Sequence, residues 1–321
     1  MASNPRSILV ITGPTGIGKT DLAMRLADES PIRIISADSV MVYRHLNIGS
    51  AKPAVSELER YPHDLIDLVE PEYPFDVGQY LFHAKRSIQH AWQRNEVPCL
   101  VGGTILYLKS LLDGLDPLPK ADPDIRKRIR EKAEQQGWPA IHDWLKGLDS
   151  GAAEIIHPNH SSRIERALEV RLKTGESIRS FWTEGPSELM IGDQRADLNV
   201  LALMPADREK LKERLNRRFD SMLGRGLVDE VQSLRVRSEL TKACPSMRSV
   251  GYRQIWQYLD REISETEMRE QAQAATRQLA KRQLTWLRSW RADTNTFIKV
   301  SDSLPVTEGK IWLSKVFDRV L

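Results

Sequence analysis

The fold is decided by a stretch near the N-terminus that reads SILVITGPTGIGKT, residues 7–20. Its first six residues, Ser7–Thr12, are rich in apolar and β-branched side chains, which predicts a buried strand. The next eight are Gly13, Pro14, Thr15, Gly16, Ile17, Gly18, Lys19 and Thr20, and they fill the phosphate-binding loop pattern G-x-x-x-x-G-K-[ST]. Residues 21–27 have helical spacing. This strand–loop–helix order is the context that the pattern requires, and it disfavours a chance glycine-rich turn.

Each part of this loop has a chemical use. The glycines allow backbone N–H groups to surround an anionic group, and the start of the helix adds partial positive charge. Lys19 supplies a point charge for a terminal phosphate, and the Thr20 hydroxyl is suited to Mg²⁺. We therefore predict a diphosphate or triphosphate at residues 13–20, with Mg²⁺ as the cofactor and Thr20 as its protein ligand.

The composition places limits on the class of protein. A length of 321 residues allows one large or two smaller domains, and 40% hydrophobic with 28% charged residues is ordinary for a soluble protein. The formal charge of +3 is small, so any nucleic-acid surface must be local. Cys99 and Cys244 are the two cysteines, which favours a reducing compartment. The sequence shows neither an apolar leader nor a membrane-length segment, so we expect a cytoplasmic protein without membrane contact.

A second predicted strand, Ile32–Ala37, is followed by Asp38. Functional groups of parallel α/β sheets collect at the carboxyl ends of the strands, so Asp38 is predicted to face the same crevice as the phosphate loop. Asp38 could instead cap a turn or helix. Asp67 ends another short apolar run, 63–69, and is a rival carboxylate.

A further buried strand, Val97–Val101, ends in Gly102-Gly103-Thr104 rather than in the acidic residue of a Walker B strand. This weakens an interpretation as a standard ATP-hydrolysing enzyme. Two glycines allow a close backbone approach or form a simple turn, and Thr104 offers a hydroxyl to a phosphate or base.

The order of elements predicts an α/β fold with a P-loop NTPase-like (nucleotide-kinase-like) parallel sheet core and an inserted helical subdomain. Three prolines lie in 115–123, helical patterns follow over 124–136, 140–148 and 163–173, and no strand signal returns until 198–204. We therefore expect the core at 1–118 and 198–321, with the insertion at 119–197. Beyond it, Asp207 is expected to cap a helix that runs to about Gly224 and carries Arg214 and Arg218 on one face.

Two stretches of the C-terminal half suggest nucleic acid. The window 271–292 has no acidic residue, and Arg277, Lys281, Arg288 and Arg291 share one helical face, as a phosphate backbone would require. Trp286 and Trp290 lie on a neighbouring face, and we assign them to the core. Residues 248–253 mix arginines, a serine and a tyrosine around a glycine, which suits phosphates and stacked bases, although such a cluster is more often a solvated helix start.

Together these segments resemble the tRNA dimethylallyltransferase family, also called tRNA isopentenyltransferases. The resemblance covers most of the chain in order: 13–20, 35–39 with Tyr43-Arg44, 48–53, 63–67, 101–104, 162–170, 207–231, 249–253 and 281–288. It implies transfer of a dimethylallyl group from dimethylallyl diphosphate to N6 of adenosine 37, beside the anticodon of tRNAs that read codons starting with U. The products would be N6-(dimethylallyl)adenosine and diphosphate, and the partner the tRNA anticodon stem-loop, bound by a monomer.

The resemblance also implies roles for individual residues. Asp38 would be the catalytic base, Thr104 would lie near the reacting centre, Arg218 would bind the pyrophosphate, and residues 13–20 would hold the donor. The tRNA contacts would be Asp38, Ser39, Val40, Met41, Thr104, Arg126, Ser162, Arg163, Ile164, Glu165, Arg166, Arg248, Ser249, Val250, Gly251, Tyr252, Arg253, Lys281, Arg282 and Arg288. The chain departs from the family at His160, usually acidic there, and at Ser162, often a glutamine.

Two other classes share parts of this pattern. A nucleoside or nucleotide kinase has a similar core, but the basic helix and the missing Walker B acid count against it. A non-catalytic RNA-binding protein would have no use for Lys19, Thr20 and Asp38.

Overall fold

The computed structural model describes residues 6–183, 188–290, 297–301 and 305–320. The chain divides into two compact units, one made of Met1–Leu111 and Glu188–Leu321 and the other of Leu112–Ser187. No helix among the described residues combines the length and the apolar character that crossing a bilayer requires.

The first unit contains a mostly parallel sheet. Its strands are β1 (Arg6–Thr12), β2 (Ile32–Ser36), β3 (His63–Asp64), β4 (Val97–Gly102), β5 (Leu189–Ile191), β6 (Gln194–Met204) and β7 (Phe297–Ser301). They lie in the order β3-β2-β4-β1-β6, with β5 antiparallel to the start of β6 and β7 parallel to its end. Strand β1 is therefore central, because β4 and β6 pair with its two edges. The phosphate loop leaves the sheet at its middle.

Helices cover both faces of this sheet, as the alternation of side chains in β1 requires. The helices of this unit are α1 (Lys19–Ala27), α2 (Val55–Arg60), α3 (Val77–Gln93), α4 (Ile105–Asp113), α8 (Arg208–Gly224), α9 (Leu227–Arg235), α10 (Tyr252–Leu259), α11 (Glu265–Ser289) and α12 (Pro305–Val320). Of these, α9 and α10 pack in a separate apolar cluster away from the strands. Leu9 and Ile11 pack on the side of α1 and α11, whereas Ile8 and Val10 pack on the side of α3 and α4. This alternation is the two-residue period of a strand that is buried on both faces.

The second unit is helical. It contains α5 (Pro123–Leu148), α6 (Ser150–Ile155), α7 (Ser161–Thr174) and a 3-10 turn at Ile178–Phe181 around its own apolar core. Helix α5 is interrupted at Gly137, whose φ of 78° is left-handed, so it comprises the two helical segments that the sequence predicted. A buried carboxylate, Glu169, joins α5 and α7 through bonds described below.

The structure differs from the sequence-based expectation for the insertion and for the apolar run 63–69. The insertion runs from Leu112 to Ser187 rather than from 119 to 197, because β5 and the polar start of β6 already belong to the sheet. Strand β3 is only two residues long, and Leu65 and Asp67 beyond it have left-handed φ values of 65° and 54°. Asp67 therefore does not end a strand.

Candidate active site

The phosphate loop joins the end of β1 to the start of α1. Gly16 has a left-handed φ of 72°, and a Cβ atom there would lie 2.6 Å from the Leu215 side chain, so the loop needs glycine at this position. The Lys19 ammonium donates a hydrogen bond of 2.9 Å to the Pro14 carbonyl. The loop thus holds its lysine against its own backbone.

The loop opens on a cavity of about 490 Å³ that is rich in cationic side chains. Residues 15–20 line it together with the cations Lys52, Arg214, Arg218 and Arg225 and the carboxylates Asp21, Asp38 and Glu57. Removal from water lowers the pKa of Lys19 to about 8, the Asp38 carboxylate opposes this shift and Arg218 adds to it. Burial also lowers the pKa of Arg218, but a guanidinium stays charged near neutral pH. The cavity is therefore suited to a compact polyanion.

Asp38 lies at the carboxyl end of β2, beside this cavity, as predicted. Its Oδ1 accepts hydrogen bonds from the backbone N–H groups of Val40 (2.8 Å) and Met41 (3.3 Å). The carboxylate thus does cap a turn, which was the alternative role considered for it. Because both of these bonds go to Oδ1, a proton taken up by Oδ2 would leave the turn intact.

Thr104 lies next to this turn. Its Oγ1 accepts from the Ser39 backbone N–H at 3.0 Å and donates to the Ser39 hydroxyl at 3.3 Å. Its backbone N–H donates to the carbonyl of Ala37 at 3.2 Å. Gly102 makes this approach possible, since a Cβ atom there would lie 2.1 Å from the same Ala37 carbonyl oxygen. The glycine pair at the end of β4 is therefore a close-contact feature rather than a simple turn.

The rival carboxylate, Asp67, is engaged elsewhere. Its Oδ1 accepts from the Lys52 ammonium at 2.6 Å, and that lysine side chain is only 4% exposed. Lys52 also donates to the Tyr43 carbonyl and to the Asn47 side chain. Asp67 thus neutralises the buried Lys52 cation, whereas Asp38 lines the cavity itself.

A second, apolar cavity adjoins the first. Leu215, Phe219, Met222, Leu227 and Leu279 contribute apolar surface to it, and Asp38, Thr15 and Arg218 line both cavities. The polar and apolar cavities therefore share a border at the proposed base.

Two side chains that the sequence did not single out organise the walls of these cavities. Glu230 accepts from the backbone N–H groups of Asn47, Ile48 and Gly49 and from the Tyr252 hydroxyl at 2.6 Å. Gln283, on α11, bonds to Thr15 of the phosphate loop and to Gly103. Neither has a local sequence signal, because their partners lie far along the chain.

The segment 248–253 is largely accessible, as a nucleic-acid contact would require, but the side chain of Tyr252 is buried. Arg248 and Arg253 are exposed, Ser249 and Val250 are partly exposed, and Val250 and Gly251 line the apolar cavity. The Tyr252 side chain is fully buried, and its proximity to Gly49 leaves no room for a Cβ atom there. Tyr252 therefore shapes the cavity wall rather than offering a stacking surface.

The residues predicted on the insertion fall into two groups. Ser162 and Arg163 are exposed at the start of α7, whereas Ile164 is fully buried. Arg126 and Arg166 both pair with Glu169, and Arg130 pairs with Glu165. The side chains of Ile164, Glu165 and Glu169 thus stabilise the helix pair, so a direct RNA contact by Ile164 or Glu165 would need their backbone.

On α11 only part of the predicted basic face is exposed to solvent. Lys281, Arg282 and Arg288 are exposed. Arg277 is partly buried, and its Nη1 donates to the Asn216 side chain of α8 at 2.7 Å. Trp286 and Trp290 are partly buried in contact with each other, and Trp290 packs against the sheet core. Arg291 lies outside the described residues.

Fold and site together define a phosphate-loop protein in which a carboxylate, and not a Walker B acid, borders the anion cavity. The sequence matches the family described as IPP transferase over residues 41–290 and that described as Isopentenyl transferase over 6–66. The chain belongs to the IPP transferase family, and its fold is the P-loop-like α/β fold of that family.

Individual relatives agree with this assignment. The chain is 48% identical over 295 residues to a protein named tRNA dimethylallyltransferase 2 from Hahella chejuensis, covering 89% of each chain. It is 47% identical to tRNA dimethylallyltransferase from Thiobacillus denitrificans, covering 87% of this chain and 88% of the relative. A tRNA isopentenylpyrophosphate transferase from Bacillus halodurans has a similar crystal structure, with a TM-score of 0.69, 31% identity and coverage of 98% and 97%.

Proposed function

We propose that this protein transfers the dimethylallyl group of dimethylallyl diphosphate to N6 of adenosine 37 in tRNA. The observation that carries the proposal is the position of Asp38, which lies where the cationic cavity of the phosphate loop meets an apolar one. The names of the relatives support the same reaction.

The donor diphosphate would bind at the phosphate loop. Lys19 would exchange its bond to the Pro14 carbonyl for one to a phosphate oxygen, and Arg218 would add a second cation. Cations held in place before the reaction stabilise charge that develops on a leaving diphosphate, and they do so without reorganising during the step.

The residues present fit a bound Mg²⁺. Thr20 lines the cavity in the first turn of α1 and carries a hydroxyl, so it would hold the ion together with diphosphate oxygens and water. When bound, the ion would add positive charge next to the leaving group.

In the chemical step, N6 of the adenine attacks the CH2 carbon of the donor, which is the carbon bonded to the diphosphate oxygen. The new carbon–nitrogen bond forms as the carbon–oxygen bond breaks, and the electron pair of that bond leaves on the diphosphate. The N6 proton passes to Asp38, which matters because the exocyclic amine is a poor nucleophile while its lone pair is delocalised into the ring. Thr104 would lie beside the reacting amine.

The adenine must leave its stack to reach Asp38, so we propose a flipped base. The apolar cavity suits the groups that meet there, the dimethylallyl chain and the adenine ring. Exposed cations at Arg163, Arg248, Arg253, Lys281, Arg282 and Arg288 would contact the tRNA backbone. Both described cysteines are free thiols, which agrees with a cytoplasmic enzyme, and we propose that one chain acts as a monomer.

The experiment that tests this function is mass analysis of tRNA after incubation with the protein, Mg²⁺ and dimethylallyl diphosphate. A gain of one dimethylallyl group on the adenosine beside the anticodon is the expected result. Unmodified tRNA, or phosphorylation of a nucleoside when ATP replaces the donor, would refute the proposal in favour of a kinase or a binding protein.

A further inference from the structure

Gln283 occupies an unusual position between the phosphate loop and the end of β4. Its Oε1 accepts from the Thr15 backbone N–H at 2.8 Å, and its Nε2 donates to the Gly103 carbonyl at 2.8 Å. The side chain is only 7% exposed, and both partners are more than 170 residues away in sequence. A buried amide with both ends satisfied is rigidly held, because loss of either bond would leave a polar group without a partner.

The space around this amide is closely matched to it. A Cβ atom at Gly103 would lie 2.5 Å from the Gln283 Nε2 and 3.1 Å from the Gly13 carbonyl oxygen. Gly103 therefore has to be glycine for the amide to reach between β4 and the loop. The two glycine-rich segments that the sequence marked as separate features are joined by this one side chain.

From these contacts we infer that Gln283 is a positioning residue that sets the distance between the donor and acceptor sides of the active site. The inference rests on the proposed transferase function. Thr15 is one of the residues that would hold the diphosphate, and Gly103 precedes Thr104, which would lie beside the adenine amine. Gln283 contacts neither reacting group, so it acts only through the backbone on each side.

Such a role has a kinetic signature. A displacement of about 1 Å between two reacting groups can cost on the order of 10²-fold in rate, even when each group still binds. Loss of the amide should therefore slow the chemical step and leave the affinity for each separate substrate almost unchanged. A residue that only stabilises the fold would lower the melting temperature and leave the rate constant of the folded enzyme intact.

The test compares Gln283→Met, which removes both hydrogen bonds at similar length, with Gln273→Met as a matched control. Gln273 lies on the same helix, but its amide bonds to Asp220 of α8. Single-turnover rates at saturating substrate, equilibrium affinities for dimethylallyl diphosphate and for tRNA, and melting temperatures are measured for each. We expect Gln283→Met to lose about 10- to 100-fold in rate with both affinities within about twofold, and Gln273→Met to match the wild type.

Two further variants keep the test decisive if Gln283→Met does not fold. Gln283→Glu keeps an acceptor for Thr15 but places a carboxylate against the Gly103 carbonyl, and Gly103→Ala pushes on the amide from the opposite side. Both should lose rate in the same way. A normal rate in either folded variant, or a rate loss explained by weaker donor binding, would overturn the inference. Wild-type protein that modifies no tRNA would instead refute the proposed function.

Discussion

Replacement of Asp38 by asparagine separates its two possible roles. In the structure its Oδ1 accepts from the backbone N–H groups of Val40 and Met41, and the amide oxygen of asparagine can accept both bonds. The amide cannot take a proton at neutral pH. We therefore expect Asp38→Asn to fold with a free energy of unfolding within about 0.5 kcal/mol of the wild type.

The chemical step should respond very differently. Loss of a general base typically costs about 10²- to 10⁴-fold in rate, which raises the barrier by about 2.7–5.4 kcal/mol. Asp38→Ala should show the same loss of rate and should also be less stable. Its turn loses the acceptor of two backbone N–H groups, which lowers the free energy of unfolding by about 1–2 kcal/mol. The assay is single-turnover transfer with enzyme in excess, because slow product release could otherwise hide the change.

Asp67→Asn is the control. It weakens the partner of the buried Lys52 ammonium, so we expect a loss of stability of about 1–3 kcal/mol and a single-turnover rate close to wild type. The reasoning is refuted if folded Asp38→Asn reacts at the wild-type rate, or if Asp67→Asn is the variant that loses the chemistry.

Three further predictions concern charge. Lys19→Ala should lower the transfer rate by about 10²–10³-fold, measured at saturating donor, because the leaving group loses a preorganised cation; a wild-type rate would place the diphosphate elsewhere. Since the pKa of Lys19 is lowered to about 8, the free site loses its cation as the pH rises through that value, whereas a bound diphosphate restores it. Donor binding should therefore weaken above pH 8, and near pH 8 it should be accompanied by uptake of a proton. Calorimetric heats of binding that do not depend on the ionisation enthalpy of the buffer would contradict this. Lys281→Ala and Arg288→Ala should each reduce the slope of log affinity for tRNA against log salt by about 0.7–0.9 and leave donor affinity unchanged, and an unaltered slope would assign these side chains to solvation alone.

Local patterns were sufficient for much of the fold. The β-branched run before Gly13 predicted β1, and the cap at Asp207 predicted α8, because the physical cause of each element lies within a few residues. The structure confirms that Asp207 accepts from the N–H groups of Glu209 and Lys210. The α/β core with a phosphate loop followed from such segments and is confirmed.

What the sequence could not predict depends on partners distant in the chain. The early part of β6 is polar, and it becomes a strand because it pairs with β1 and β5, so the end of the insertion was placed too late. The roles of Glu230 and Gln283 were missed for the same reason, since a glutamate or glutamine on a helix has no local pattern that marks it as buried and bonded. Tyr252 was expected at the surface because tyrosine suits both stacking and burial.

The strand order also determines when the donor site can form during synthesis. The phosphate loop is translated before the insertion, and one edge of β1 stays unpaired until β6 has followed that insertion. Gln283 is made later still, and it is followed by α12, in which Gly309 lies against Leu22 and Leu26 of α1. An open strand edge is prone to pairing with other chains, so the nascent protein carries this hazard while the insertion is being translated. The donor site is thus completed well over 200 residues after the motif that defines it has been translated.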